Sequence, residues 1–500
     1  MPKALFHTLA VWLLTGAAHA ADDYTLVLSG GRVIDPETGL DDIRHVGLAG
    51  DRIVRISEEA LTGAEVVDVS GLVVAPGFID LHSHTPTPLG QRYQAHDGVT
   101  TALELEAGAY PVDGFGYHLA AGSVLNYGAS AGYGAMRVEL MHGIRQSHII
   151  DPAEPVGLRG WWTQVREWFG DVTTANTKVA TEDERARLRE MLEAGIDQGG
   201  IGIGLPLDYY SEAIDDAEVR AIFEVAAQRQ APIFVHVRRG INGDPAGLRE
   251  VLDLARETGA SVHVCHITHN AMVSIELFLR EIRDAQSAGV DVTTELLPYM
   301  AGSTFIGAAV FGRDWRTIFN IDYGDVEWAA TGERFDEAMF NEYRQKYPDG
   351  GVIHHYLDED WNRRAVVEPG LIIVSDLLPM FSEEVKVAPH NGAFSRVLGR
   401  YVRKESLLSL QTALAKMTLL PARRIEQAAP AFKRKGRLQE GMDADITVFD
   451  PLAVEDRATY QDPYQTSAGI RHVIVNGVFV VRDEQFVDNT YPGRRIDGEL

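Results

Sequence analysis

Residues 76–85 read Pro76-Gly77-Phe78-Ile79-Asp80-Leu81-His82-Ser83-His84-Thr85. An apolar run ends in two histidines one residue apart, so on an extended strand both imidazoles leave the same face. Two same-face imidazoles at a strand end supply half of a typical zinc shell. A bare His-x-His is common in turns. Here the Pro-Gly-Phe-Ile-Asp lead-in and the acids and histidines that end later apolar runs favour a metal.

Outward from this stretch, apolar runs at 77–81, 100–106, 135–140, 201–205, 232–237, 261–267, 290–297 and 371–375 alternate with helical segments, including 215–228 and 245–258. Eight such runs predict a (β/α)8 barrel of the TIM type. Short β-branched runs follow residue 24, and others span 443–450 and 471–480, the last turning at Asn476-Gly477. They predict a small β-sandwich built from both termini. The expected division is a signal peptide at 1–20, sandwich at 21–75 and 431–500, and a catalytic barrel at 76–430. The stretch 311–370 is too long for a barrel loop and is expected to be an insertion, either a cover over the active face or a surface decoration.

Catalytic groups of a barrel gather at the carboxyl ends of its strands. Those ends carry His82 and His84, Glu104 and Glu106, His236, His266, and Asp376 just beyond the eighth run. One histidine alone is usually a hydrogen-bonded core residue. Several at strand ends together predict a binuclear metal shell.

Composition bounds the rest. The chain has 500 residues, 45% of them hydrophobic, and a formal charge of −26. That size supports a large core. The charge speaks against nucleic acid and anionic membrane as partners and says little about a small-molecule substrate, which is the partner expected. Lys3, the apolar stretch through Leu14 and Ala18-His19-Ala20 form an export leader, with cleavage expected after Ala20 and a secreted or periplasmic destination. The lone Cys265 sits in an apolar run and reads as a buried small hydrophobe.

Longer motifs narrow the reading: Gly98-Val99-Thr100-Thr101, Gly204-Leu205-Pro206 with Tyr209 to Ala213, Pro298 to Thr304, Phe394-Ser395-Arg396-Val397-Leu398-Gly399-Arg400-Tyr401-Val402-Arg403, and Lys435 to Asp445. With these the chain resembles the amidohydrolase superfamily and, within it, the N-acyl-D-amino-acid deacylase (D-aminoacylase) family, from about Tyr24 to Asn476. The resemblance implies a hydrolase of linear amides holding one or two zinc ions or other divalent metals. His82, His84, Glu106, His236, His266 and Asp376 would be the ligands, with Asp376 as proton carrier for a metal-activated water.

Departures from the family pattern bear on substrate. Glu104-Leu105-Glu106 stands where the family has Gly-Asn-Cys with a metal-binding cysteine, so Glu106 is expected to bridge two ions, with Glu104 as the alternative or as support behind it. The family lysine two residues past the sixth-strand histidine is Thr268 here, and a family His-Pro-Arg is Ala388-Pro389-His390. Arg238 and Arg239 are candidate replacements for the lost cations, with Tyr210, Tyr299 and His390 as further substrate contacts. A dipeptidase or cyclic amidohydrolase is the second reading, and a catalytically silent exported binding protein the third.

Overall fold

The computed structural model describes residues 24–157, 159–160 and 177–500. The export leader expected at 1–20 lies outside them.

Eight parallel strands form the central barrel: Phe78–Asp80, Val99–Ala109, Asn126–Gly132, Ile203–Leu205, Ile233–Val235, Val262–Val264, Val292–Leu296 and Ile372–Ile373. Each pairs in parallel with the next. First and last meet just beyond their ends, where Ser83 bridges Leu377, the amide of His84 donates to the Leu377 carbonyl at 2.9 Å, and that of Asp376 to the His82 carbonyl at 2.8 Å. The seam of the barrel thus closes at the residues expected to bind metal. Below it Asp80 joins the same two strands, accepting from the amides of His82 and Ser375 and from the Ser375 hydroxyl.

Seven of the eight apolar runs contain barrel strands; the third does not. Residues 135–140 lie inside a helix, Tyr133–His142, and the third strand precedes it at Asn126–Gly132. The helix buries Tyr133, Met136 and Arg137, at spacing i, i+3, i+4, which overrides the strand-like alternation. The true strand reads Asn-Tyr-Gly-Ala-Ser-Ala-Gly and gives little apolar signal. Its glycines are required by close approach: a Cβ on Gly132 would stand 2.6 Å from the Ala107 carbonyl oxygen, and one on Gly128 2.4 Å from that of Ile496.

The surrounding helices follow their sequence cues. Asp216–Arg229 starts on Asp215, whose carboxylate accepts from the amide of Glu218 at 2.9 Å. Ala246–Thr258 buries the stripe Leu248, Val251, Leu252 and Ala255, and stops at Gly259, φ 77°.

The termini share one nine-stranded sheet. Val73–Pro76, leading into the first barrel strand, pairs antiparallel with Ile446–Phe449. The sheet folds back so that the Ile53 amide meets the Met442 carbonyl at 3.0 Å and the Gly441 amide meets the Ile53 carbonyl at 2.7 Å. Leu28, Val33, Val46, Ile446 and Ile474 fill one core from both ends of the chain. The hairpin turns at Asn476 (φ 48°) and Gly477 (φ 82°), both left-handed as a type I′ turn requires.

The insertion begins at Gly302 rather than at 311. It carries a four-stranded antiparallel sheet, ordered Gly302–Phe305, Gly351–His354, Val326–Trp328, Glu333–Arg334, and its own aromatic core of Phe311, Trp315, Phe319 and Phe340. It sits over the catalytic face. The Tyr356 hydroxyl donates to the His269 carbonyl at 3.2 Å, and Phe319 packs beneath the Arg239 guanidinium.

Candidate active site

Four histidines converge on one carboxylate. Glu106 turns its Oε2 towards His82 and His84, with Nε2 atoms 3.2 and 3.5 Å away, and its Oε1 towards Nδ1 of His236 at 2.9 Å and Nε2 of His266 at 3.0 Å. Asp376 Oδ1 lies 3.4 Å from Nε2 of His82 and 3.3 Å from Nε2 of His84. All six residues expected at the centre are therefore brought together, from five different strands.

The donors fall into adjoining groups sharing Glu106: His82, His84 and Glu106 on one side, Glu106, His236 and His266 on the other, with donor atoms of each group within 4.8 Å of one another. Imidazole nitrogen with carboxylate oxygen suits zinc and similar divalent ions. Nε2 of His236 is buried with no hydrogen-bond partner among the described residues, and burial, with Arg239 and His266 nearby, draws this imidazole down to about 4, so it is neutral and can donate a lone pair. The carboxylates demand positive charge. Burial pushes His82 and His84 down, yet Asp376, Glu106 and Glu295 around His82 and Glu104 beside His84 outweigh it, holding both well above the ordinary imidazole range.

Two of the expected ligands sit on a left-handed backbone, His266 at φ 30° and Asp376 at φ 46°. Such conformations in non-glycine residues persist only where surrounding bonds impose them. The Asp376 amide is tied to the His82 carbonyl and the His266 amide to Glu295 Oε1 at 3.2 Å.

Behind this layer stands a second one, of which the sequence offered Glu104 as a support but not Glu295, His263 or His148. Glu295, at the end of the seventh strand, accepts Nδ1 of His82 at 2.6 Å and Nε2 of His263 at 2.8 Å. Glu104 takes Nδ1 of His84 at 2.8 Å and Nε2 of His148 at 2.6 Å, which makes it a support for His84 rather than a bridge. Glu295 carried the same signal as Glu106, an acid closing an apolar run. His263 lay inside a run, and His148 is in a loop with no signal. Cys265 is buried beside this layer, and burial pushes its thiol pKa well up.

The substrate candidates divide. Arg238 turns away: its guanidinium meets Glu250 at 3.2 Å and the carbonyls of Ser211 and Ile214. Arg239 faces the centre, bound through Nη1 to Asp208 at 3.2 Å. Asp208 also takes Nη2 of Arg313, from the insertion, at 2.9 and 3.0 Å, and lies 3.9 Å from Nε2 of His236. Tyr210 points elsewhere, its hydroxyl in the position a Cβ on Gly134 would enter; its neighbour Tyr209 sets its ring edge-on to His236 at 5.3 Å. His390 donates from Nδ1 to the Asp376 carbonyl, 3.1 Å away, and stacks on Tyr299, whose own ring lies under Arg396. Tyr209 and Tyr210 are successive residues of a 3-10 helix, Leu207–Tyr210, set about 120° apart around its axis, so they meet different neighbours.

The family model described as Amidohydrolase family matches residues 387–481. An N-acyl-D-glutamate deacylase of Alcaligenes xylosoxydans xylosoxydans is 31% identical over 476 residues, 91% of this chain and 93% of the relative. The chain belongs to the N-acyl-D-amino-acid deacylase family of amidohydrolases. A D-aminoacylase of the same organism is 29% identical, over 93% of this chain and 96% of its own. Among solved structures, the N-acyl-D-glutamate deacylase of Bordetella bronchiseptica, complexed with zinc and a phosphonate inhibitor, matches with a TM-score of 0.75 at 25% identity, over 95% of this chain and all of that one. A D-aminoacylase with a binuclear metal centre matches equally well. As a family member this chain is a metal-dependent amidohydrolase, and the cluster around Glu106 has the donors that chemistry needs.

Proposed function

We propose that the enzyme deacylates N-acyl-D-amino acids, with His82, His84 and Asp376 as the residues that would hold one divalent ion, His236 and His266 those that would hold a second, and Glu106 lying between the two groups. The observation that carries this reading is the division of Glu106, one oxygen to each histidine pair. When bound, a divalent metal polarises the amide carbonyl and lowers the pKa of attacking water.

Asp376 carries the proton. Burial raises its pKa, but His82, His84 and His266 prevail and hold it far below the ordinary carboxylate range, so it is ionised. Its side chain is 19% exposed while the five other ligand side chains are 7% or less, so it is the one open to a substrate. It accepts the proton of the attacking water and delivers it to the departing amine.

Arg239 receives the substrate carboxylate. Two arginines, Arg239 and Arg313, share the single carboxylate of Asp208, and His236 beside them is neutral, so the subsite keeps net positive charge where the family cations are lost. The relatives' activities and this charge together support an acylated amino acid as substrate. Export to the periplasm or beyond completes the reading, supported by Lys3, the apolar stretch and Ala18-His19-Ala20.

The test is a panel of N-acyl-D- and N-acyl-L-amino acids, dipeptides and cyclic amides given to zinc-loaded enzyme. Turnover of the N-acyl-D compounds is expected. Turnover confined to cyclic amides would transfer the assignment to the chemistry of the dihydroorotases, one of which, from Pelotomaculum thermopropionicum, is 27% identical over 457 residues. Fractionation of expressing cells, with sequencing of the mature amino terminus, tests export.

A further inference from the structure

The backbone of Asp376 is held from both sides. Its φ of 46° is unfavourable for a residue with a Cβ, so the peptide planes flanking it have to be fixed by their own partners. On the amino side the Asp376 amide donates to the His82 carbonyl at 2.8 Å. On the carboxyl side the Leu377 amide donates to the Ser375 hydroxyl at 3.1 Å, and the Asp376 carbonyl accepts Nδ1 of His390 at 3.1 Å. His82 and Ser375 belong to the barrel seam itself. His390 arrives from fourteen residues further along the chain.

His390 opens a short 3-10 helix, His390–Gly392, directly after Pro389. A carbonyl can only accept, so Nδ1 carries the proton. Nε2 is buried with no partner among the described residues, so one ring nitrogen is engaged and the other enclosed, and neither is offered to a substrate. Packing fixes the ring. It stacks on Tyr299 with centroids 5.2 Å apart and planes 24° from parallel, and the Arg396 guanidinium lies over the same Tyr299 ring at 5.0 Å. Arg396 is in turn tied at three points: Nε to the Pro298 carbonyl at 2.6 Å, Nη1 to Asp456 at 3.0 Å and Nη2 to Glu359 of the insertion at 3.2 Å. The support behind His390 therefore draws on distant parts of the chain.

The orientation of those two peptide planes sets the direction in which the Asp376 side chain leaves the backbone, and so the place of Oδ1, 3.4 and 3.3 Å from Nε2 of His82 and His84. An aspartate has only two side-chain torsions with which to correct a rotated backbone. We propose that His390 is a positioning residue for the reaction: its Nδ1–H holds the Asp376 carbonyl and thereby keeps the Asp376 carboxylate in place for proton transfer. The inference rests on Asp376 as the proton carrier proposed above.

The test compares kcat and KM of zinc-loaded wild type, His390→Leu and His390→Asn on the fastest substrate of the panel above. Leucine and asparagine are similar in size, but only asparagine offers an N–H near the place of Nδ1. His390→Leu is expected to lower kcat by about 10–100-fold, with KM within about twofold of wild type and zinc content unchanged. His390→Asn should keep kcat within about threefold of wild type, because the donor is retained. Added to Asp376→Asn, His390→Leu should cost less than about twofold more, since the group it positions no longer takes a proton. If His390→Leu misfolds, His390→Gln replaces it, because the longer amide reaches the place of Nε2 and not that of Nδ1. Undiminished kcat in His390→Leu, equal losses with leucine and asparagine, a loss carried by KM, or additive losses in the double variant overturns the proposal. Wild-type turnover in Asp376→Asn would overturn the proton-carrier reading and this inference with it.

Discussion

Nε2 of His148 lies 2.6 Å from Oε2 of Glu104, the same oxygen that receives Nδ1 of His84 at 2.8 Å. The arrangement recurs across the site, where Glu295 joins His82 to His263. Each histidine of the His-x-His pair is thus held through a buried glutamate backed by a second buried histidine, which fixes its ring and leaves Nε2 for the metal. Supports of this kind are worth about 10–100-fold in metal affinity. Glu104→Gln and His148→Phe should each weaken zinc binding by that factor in chelator competition, with the far-ultraviolet circular dichroism unchanged. Unaltered affinity in both would refute the role.

Asp376→Asn keeps an oxygen near the metal but cannot accept a proton. Turnover is expected to fall by about 10²–10⁴ while zinc content, measured on the same protein, stays near that of wild type. A variant that retains both metal and turnover would remove Asp376 from proton transfer.

Acid should expel the metal. Because neighbouring carboxylates hold His82 and His84 above the ordinary imidazole range, an entering ion has to displace protons from both. Affinity therefore falls as pH falls, and its logarithm should climb with pH at a slope between about 1 and 2, continuing past the ordinary histidine pKa of about 6.5. Metal-buffered titrations across that range measure the slope, and a flat profile contradicts the protonated cluster.

Adjacent arginines should behave differently. Arg239→Met is expected to lower kcat/KM by about 10–100-fold, mainly through KM, since a charged hydrogen bond to substrate is worth about 1.5–3 kcal/mol. Arg238→Met, at a residue bonded to Glu250 and two carbonyls, should leave kinetics near wild type. Equal losses in the two variants would show that Arg239 also acts only through the scaffold.

Stability rests in part on a buried ion pair between the helices Tyr133–His142 and Asp216–Arg229. Arg137 and Glu218 meet inside the protein, and the Tyr133 hydroxyl donates to the same Glu218 oxygen at 2.9 Å. Arg137→Met strands that carboxylate and should cost about 3–5 kcal/mol in denaturant unfolding. A loss below about 1 kcal/mol, the scale of an exposed pair, would mean that water reaches Glu218.

Much of this molecule is written in local sequence. His82 and His84 follow an apolar run and share a face by the two-residue period of a strand, and Glu106, His236 and His266 stand at the ends of similar runs. Periodicity and end position need no knowledge of distant residues. The Asn476-Gly477 turn and the Asp215 cap are equally local, because each depends on the conformational freedom or hydrogen-bonding reach of a few atoms.

What lay beyond reach depends on contacts between distant segments. The third strand is small and glycine-rich because Ala107 and Ile496 press against it, so the apolar signal passed to the following helix. His148 has no periodic context, and its place behind Glu104 exists only once a loop folds across the second strand. Arg238 and Arg239 are chemically equivalent in sequence, and tertiary placement beside Glu250 or Asp208 separated them. The sequence by itself determined the barrel, the donor types and the family; the tertiary structure decided which carboxylate faces both histidine pairs and which of the adjacent arginines faces the centre. The reason is physical: strand and helix periods are set within a few residues, whereas the pairing of a buried charge is set by whichever distant group folding brings within hydrogen-bond range.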